Sequence, residues 1–72
     1  MDTKQIILDW MENRGFAMQH IDSGYDIYIE NDTINYRSGT TFYNGSLWDS
    51  NWNSYIMTTK EAEELNFLVS NN

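Results

Sequence analysis

The sequence predicts an α+β domain: an N-terminal helix, an antiparallel meander of three to five strands and a C-terminal helix, with both helices on one face of the sheet. Three observations carry this. Apolar residues recur at helical spacing near both ends of the chain. Between them, Tyr25-Asp26-Ile27-Tyr28-Ile29-Glu30 alternates, with Tyr25, Ile27 and Ile29 on one side and acids and Tyr28 on the other. Every connection is short, which suits antiparallel neighbours. At 72 residues the chain reads as one domain spanning 1–72.

Asp2-Thr3-Lys4-Gln5 has the form of a capping box, and Ile6, Ile7, Trp10 and Met11 make the stripe of the helix that follows. Gly15 suits the left-handed position after a helix, so this helix runs from about Thr3 to Arg14. Leu8 lies off its stripe. Phe16, Met18 and His20 share one face of the next segment, and Asp22-Ser23-Gly24 is turn chemistry. Tyr25–Glu30 is expected as the central strand. Asn31-Asp32 turns the chain into Thr33–Arg37, and Ser38-Gly39 ends that strand. Thr40-Thr41-Phe42-Tyr43 is strand-forming, and Asn44-Gly45 is a hairpin signal. Asp49–Ser54 is expected as a loop with Trp52 tucked beneath it. Thr58 and Glu61 form a second capping box, with Met57 and Ala62 as its hydrophobic staple. The second helix runs from about Thr59 to Ser70, with Ala62, Leu65, Leu68 and Val69 inward and Phe67 outward. Ile27, Ile29, Trp10 and Leu65 are expected to share one core.

Composition narrows the function. Eleven acidic residues stand against four basic ones, a net charge of −7. Direct binding to nucleic acid or to an anionic membrane needs the opposite sign. A basic partner is favoured by long-range attraction, while the plainer role of such charge is solubility. There is no Cys, so disulfides and thiolate metal sites are excluded. No apolar run is long enough for a membrane span, and Met1–Gln5 does not open a signal peptide, so a cytoplasmic protein is expected. The glycosylation patterns at Asn31-Asp32-Thr33 and Asn44-Gly45-Ser46 are discounted for the same reason.

No catalytic constellation, cofactor site or metal site is expected. His20 is the single histidine and has no paired acid-base group in view. Asp49-x-Asn51-x-Asn53 opens like a calcium loop, but Ser54 stands where Gly is expected and Lys60 where a bidentate Glu is required. Three Trp, five Tyr and three Phe are a high aromatic share, with Tyr43, Trp48, Trp52 and Tyr55 clustered in the C-terminal half. Leu8 and Phe67, both off their stripes, are the expected interface of a homodimer, which would stabilise so small a core. Asp22, Asp26, Glu30 and Asp32 fall on one hairpin and its turns with no cation among them, and Asp49 extends the acidic footprint. Alternate residues of a strand stand about 6.6 Å apart, while DNA offers one charge per roughly 3.4 Å on each strand. Tyr28 between two acids adds rigid contact area. A merely solvated sheet face carries equal weight.

A short, Cys-free, acidic chain carrying Asp22, Asp26, Glu30 and Asp32 resembles small bacteriophage host-takeover proteins. These include DNA mimics that inhibit the nucleoid protein HU and uracil-DNA glycosylase. The resemblance is one of type and spans the whole chain. It implies a non-enzymatic inhibitor in the host cytoplasm that occupies the DNA-binding surface of a basic DNA-binding protein. The partner-binding residues would be Asp22, Asp26, Tyr28, Glu30, Asp32 and Asp49. The alternative is a protein-interaction module that binds a host enzyme through exposed aromatics, with acidity serving only solubility.

Overall fold

The computed structural model describes residues 2–41 and 47–71. Helix α1 spans Thr3–Asn13. Asp2 caps it by accepting from the Gln5 backbone N–H at 2.8 Å. The Gln5 side chain does not reach back to close the box; it donates to Asp9 Oδ1 at 2.9 Å, one turn on. Arg14 is the C-cap, and Gly15 follows at φ +91°, the left-handed conformation that favours a residue without Cβ. Ile6, Ile7, Leu8, Trp10 and Met11 are all buried. At about 100° per residue they cover an arc of roughly 200°, wider than one stripe. Leu8 therefore belongs to the core, 8% exposed. It has no surface left to share with a second copy, which overturns its expected place in a dimer interface.

The segment after Gly15 is a short 3-10 helix, Met18–His20, rather than a strand. Phe16 and Met18 pack against the core while His20 is exposed, so these three do not share a face. Ile21 makes an isolated antiparallel bridge to Ser38.

Three antiparallel strands follow in the order β1-β2-β3. Strand β1 is Tyr28–Glu30, β2 is Thr33–Thr41 and β3 is Leu47–Ile56. The expected central strand is thus a three-residue edge, and β2 occupies the middle. Asn31, at φ +58°, makes the tight turn between them, a conformation that Asn tolerates better than most residues. Ser38-Gly39 does not end β2. Between the pairs Ser38–Asn51 and Thr40–Trp48, β3 carries one residue more than β2, and this bulge absorbs the irregularity. The expected loop at Asp49–Ser54 is the body of β3. Asn and Ser there have little strand preference of their own, but β2 supplies backbone partners along their length. The Asn44-Gly45 hairpin signal lies outside the described residues.

Helix α2 spans Thr59–Ser70. Its capping box is complete: Glu61 N–H donates to Thr58 Oγ1 at 3.1 Å, and Thr58 N–H donates to Glu61 Oε1 at 2.9 Å. Leu65 is fully buried, Ala62 and Val69 are partly buried against the core, and Leu68 is exposed instead of completing the stripe. The core joins Ile7, Met11 and Leu65 of the helices to Ile34 of β2, with Ile29, Tyr36 and Tyr55 packed around it. These strand residues share one face of the sheet through the pairs Ile29–Ile34 and Ile34–Tyr55. Ile27, Trp10 and Leu65 are buried as expected, and Ile29 is half-buried.

Glu61 ties the helices to the sheet. Tyr55 donates its hydroxyl to the Glu61 carboxylate at 2.9 and 3.0 Å, and Arg14 Nη2 lies 3.2 Å from Oε2. The Thr58 N–H, then Tyr55, hold the Glu61 carboxyl below its ordinary value of 4.5. The same hydrogen bond, then desolvation, holds the Tyr55 phenol above its ordinary value of 10.0. A lowered carboxyl stabilises the fold above its unfolded value and loses that contribution as pH falls through the folded one. A raised phenol stabilises below its unfolded value and loses the contribution as pH rises through the folded one. Wild type is therefore expected to lose Tm at both ends relative to Glu61→Gln, once pH drops below 4.5 and once it climbs above 10.0. Thermal melts of both proteins across pH check this; parallel profiles at both ends would refute the coupling.

Candidate functional site

The face of the sheet turned away from the helices carries Tyr28, Glu30, Thr33, Asn35, Arg37, Trp52, Ser54 and Ile56, as the pairs Tyr28–Asn35, Asn35–Ser54, Arg37–Trp52 and Thr33–Ile56 require. Three rings meet there. Tyr28 lies 5.8 Å from Trp52 between centroids, inclined 64°, and Tyr25 lies 6.0 Å from Trp52, inclined 89°. Both are edge-to-face geometries, which fix each ring against its neighbour. Yet the rings remain open to solvent: Tyr25 and Tyr28 are each 46% exposed and Trp52 48%. Ile56, on the same face, is 69% exposed.

Arg37 anchors this cluster from β2. Its guanidinium carbon sits 4.1 Å above the Tyr25 ring, and Nη2 donates to the Ser50 carbonyl. Its Nε is buried with no hydrogen-bond partner among the described residues. Ser50 in turn donates its hydroxyl to Asp22 Oδ2 at 3.2 Å. Asp22 also accepts from Gly24 N–H at 3.1 Å, and its own N–H donates to the Arg37 carbonyl at 2.8 Å. The Asp22 turn and the Arg37 clamp together place Tyr25 over the sheet. This is why Tyr25 does not face the core with Ile27: regular strand begins only at Tyr28, so the alternation does not extend back to residue 25.

The expected acidic residues separate under this geometry. Asp26, Glu30 and Asp32 are exposed beside the aromatic cluster, along the β1 edge and its turn. Asp22 is half-buried and engaged with the turn and Ser50. No cation stands among these acids in sequence, but Arg37 lies on the same sheet face as Glu30, two residues beyond the Tyr28–Asn35 end of the hairpin. An even ladder of carboxylates does not form, because Asp26 precedes the three-residue strand. Asp49 lies in β3, and its side chain is outside the described part of the structure. Asn51 and Asn53 are strand residues, with Asn53 Nδ2 donating to Ser38 Oγ at 2.6 Å, so the calcium-loop pattern falls on a strand. Phe67 is 66% exposed on α2, and with Leu8 buried the two do not form a joint patch. His20 is exposed at the end of its 3-10 helix.

A concavity of about 490 Å³ opens between α1 and α2 over Ile6, Trp10 and Leu68. Its Trp10, Arg14 and Glu64 side chains are already engaged. Trp10 Nε1 donates to Glu64 Oε1 at 3.0 Å, and Arg14 lies 4.9 Å above the Trp10 ring while pairing with Glu61. The outer sheet face is the surface whose aromatic area is open to a partner.

No known protein family, curated protein or solved structure matches this chain.

The residues that sequence reasoning missed are Tyr25, Arg37, Trp52 and Ile56. A weak signal was present: Trp52, Ser54 and Ile56 alternate at strand spacing. The polar run Asp49-Ser50-Asn51 masked it. No helix among the described residues is long and apolar enough to cross a membrane.

Proposed function

We propose that this chain is a non-catalytic binding module of the host cytoplasm that docks its Tyr25–Tyr28–Trp52 face onto a basic surface of a partner protein. The observation that supports this best is the set of three aromatic rings, each nearly half exposed, held edge-to-face on a rigid sheet. Binding energy concentrates in central aromatic anchors, and rings already fixed lose little freedom on docking. Asp26, Glu30 and Asp32 form a polar rim on one side. With a net charge of −7, that rim steers the module toward Lys- and Arg-bearing surfaces. Among the described residues, the one ion pair is Arg14 with Glu61, on the helix side of the molecule.

DNA mimicry is the narrower second reading, favoured by the exposure of Asp26, Glu30 and Asp32 on one edge. In that reading the acids replace phosphates on a basic DNA-binding protein and the rings contribute area alone. Salt separates the two. Immobilised wild type, challenged with bacterial lysate at low and high salt, is expected to retain a partner at both, because desolvated aromatic contacts are insensitive to screening. Mimicry requires that the partner be lost at high salt and that Asp26→Asn, Glu30→Gln and Asp32→Asn together abolish capture at low salt. Retention of nothing that depends on either the rings or the acids would remove both readings.

A further inference from the structure

We propose that β3 pairs edge to edge with β3 of a second copy, antiparallel and centred on Ser54, joining the two sheets into one. The inference shares Trp52 and Ile56 with the face of the partner reading but is carried by the backbone of the β3 edge, and its test does not need a partner protein.

The backbone directions decide which groups are available. In an antiparallel ladder, successive residues aim their N–H and C=O to opposite sides. The Arg37 carbonyl accepts from Asp22 N–H, so Arg37, Asn35 and Thr33 aim toward the β1 side of β2. Ile34, Tyr36 and Ser38 therefore aim toward β3, where their partners are Tyr55, Asn53 and Asn51. The bond from Met57 N–H to the Asp32 carbonyl, 2.7 Å, continues the same phase. Trp52, Ser54 and Ile56 are left with their N–H and C=O groups pointing away from the sheet. Among the described residues nothing pairs with them, and all three are exposed.

Sheet edges of this kind are normally blunted by shortness, charge or Pro. The opposite edge is so treated: β1 has three residues, with Asp26 and Asp32 flanking it. The β3 edge has ten residues, and from Ser50 to Thr59 it carries no charged residue and no Pro. Ile56, at 69% the most exposed large apolar side chain of the described residues, sits on it.

A second copy fits this edge better than a foreign strand. About a two-fold axis at Ser54, Ser54 meets Ser54 and Trp52 meets Ile56 twice, an aromatic on a β-branched residue, which is a favourable cross-strand pair. Two molecules of charge −7 repel, and this register brings no acid opposite another acid. The pairing is bounded at both ends: Arg37 already takes the Ser50 carbonyl, and Thr58 is committed to the α2 cap. Both sets of helices fall on one side of the joined sheet and both aromatic clusters on the other, since paired residues share a face.

Sedimentation equilibrium of the full chain, wild type against Ile56→Lys, tests this. Wild type is expected at twice the chain mass. Ile56→Lys disrupts both Trp52–Ile56 pairs and is expected to weaken the dimer by on the order of tenfold. It also lowers the net negative charge, so general repulsion does not explain that result. Ser54→Pro removes the outward N–H without touching a bond inside the sheet and is expected to give a monomer; should it fail to fold, Ile56→Lys still decides. Phe67→Ser is expected to leave the dimer unchanged. Amide exchange adds the register: Trp52, Ser54 and Ile56 are expected to gain protection as concentration rises. A monomeric wild type, an Ile56→Lys dimer as tight as wild type, a dimer lost by Phe67→Ser, or a dimer in which those three amides stay unprotected would each overturn the proposal.

Discussion

Ile34→Asp is expected to leave the chain unfolded. Ile34 is fully buried near the start of β2, the central strand, with Ile29 on one side and Tyr55 on the other. The substitution removes a side chain whose burial is worth about 1.5–3 kcal/mol. It also sets an ionised carboxylate in the core, an effective penalty of several kcal/mol more. A domain of this size has a total stability of roughly 4–11 kcal/mol at about 0.05–0.15 kcal/mol per residue. Loss and reserve are thus of the same size, and a small core has no second layer to absorb the defect. Far- and near-UV circular dichroism read the outcome. A native near-UV spectrum with an unchanged melting point would mean that Ile34 does not sit where the sheet and helices meet. Ile27→Asp is expected to be milder, since Ile27 lies in irregular chain before β1 at the margin of the core, 9% exposed.

Trp52→Ala is expected to act on binding and to spare the fold. Half of the Trp52 surface already faces solvent, and its neighbours there are Tyr25 and Tyr28 rather than the core. Loss of two edge-to-face contacts costs about 1–3 kcal/mol at about 0.5–1.5 kcal/mol each, and partial exposure puts the figure at the low end. Truncation of a central aromatic anchor costs about 2 kcal/mol or more in affinity, on the order of a thirtyfold rise in Kd. Titration of the captured partner into wild type and variant measures it, with a thermal melt confirming that the variant is folded. Equal Kd values for the two proteins would end the docking proposal. Neutralising Asp26, Glu30 and Asp32 is expected to give the complementary pattern, a slower association at low salt with little effect at high salt. The two variants thus separate anchor from rim on one surface.

Both helices were legible because their signals are local. The capping residues Asp2 and Thr58, the left-handed Gly15 and the stripe through Trp10 and Met11 each act within a turn or two of chain. Leu8 was misread because a helical stripe assumes a single covered face, whereas α1 is covered across a wider arc. The Thr33–Arg37 strand was legible from its alternation, but its extension through Gly39 was not. Ser38-Gly39 has the composition of a break, and only the partner strand with its extra residue makes it a bulge. Segment 49–54 shows the same effect more strongly. Its Asn and Ser residues favour turns when nothing is beside them, and they become strand because β2 offers hydrogen-bond partners.

For the candidate site, the sequence alone determined its chemistry: an acidic surface, an aromatic surplus, no thiol, and Tyr28, Asp26, Glu30 and Asp32 side by side near one turn. Those are properties of residue type and near-neighbour order, which survive any arrangement of the chain. Tertiary structure alone decided which rings meet. Tyr25, Tyr28 and Trp52 converge because β2 lies between β1 and β3 and because Arg37 clamps the Asp22 turn over it. It also decided which edge of the sheet is open, since the direction of every N–H in β3 follows from its register against β2. Register joins residues some twenty positions apart, and no local pattern in the chain encodes it.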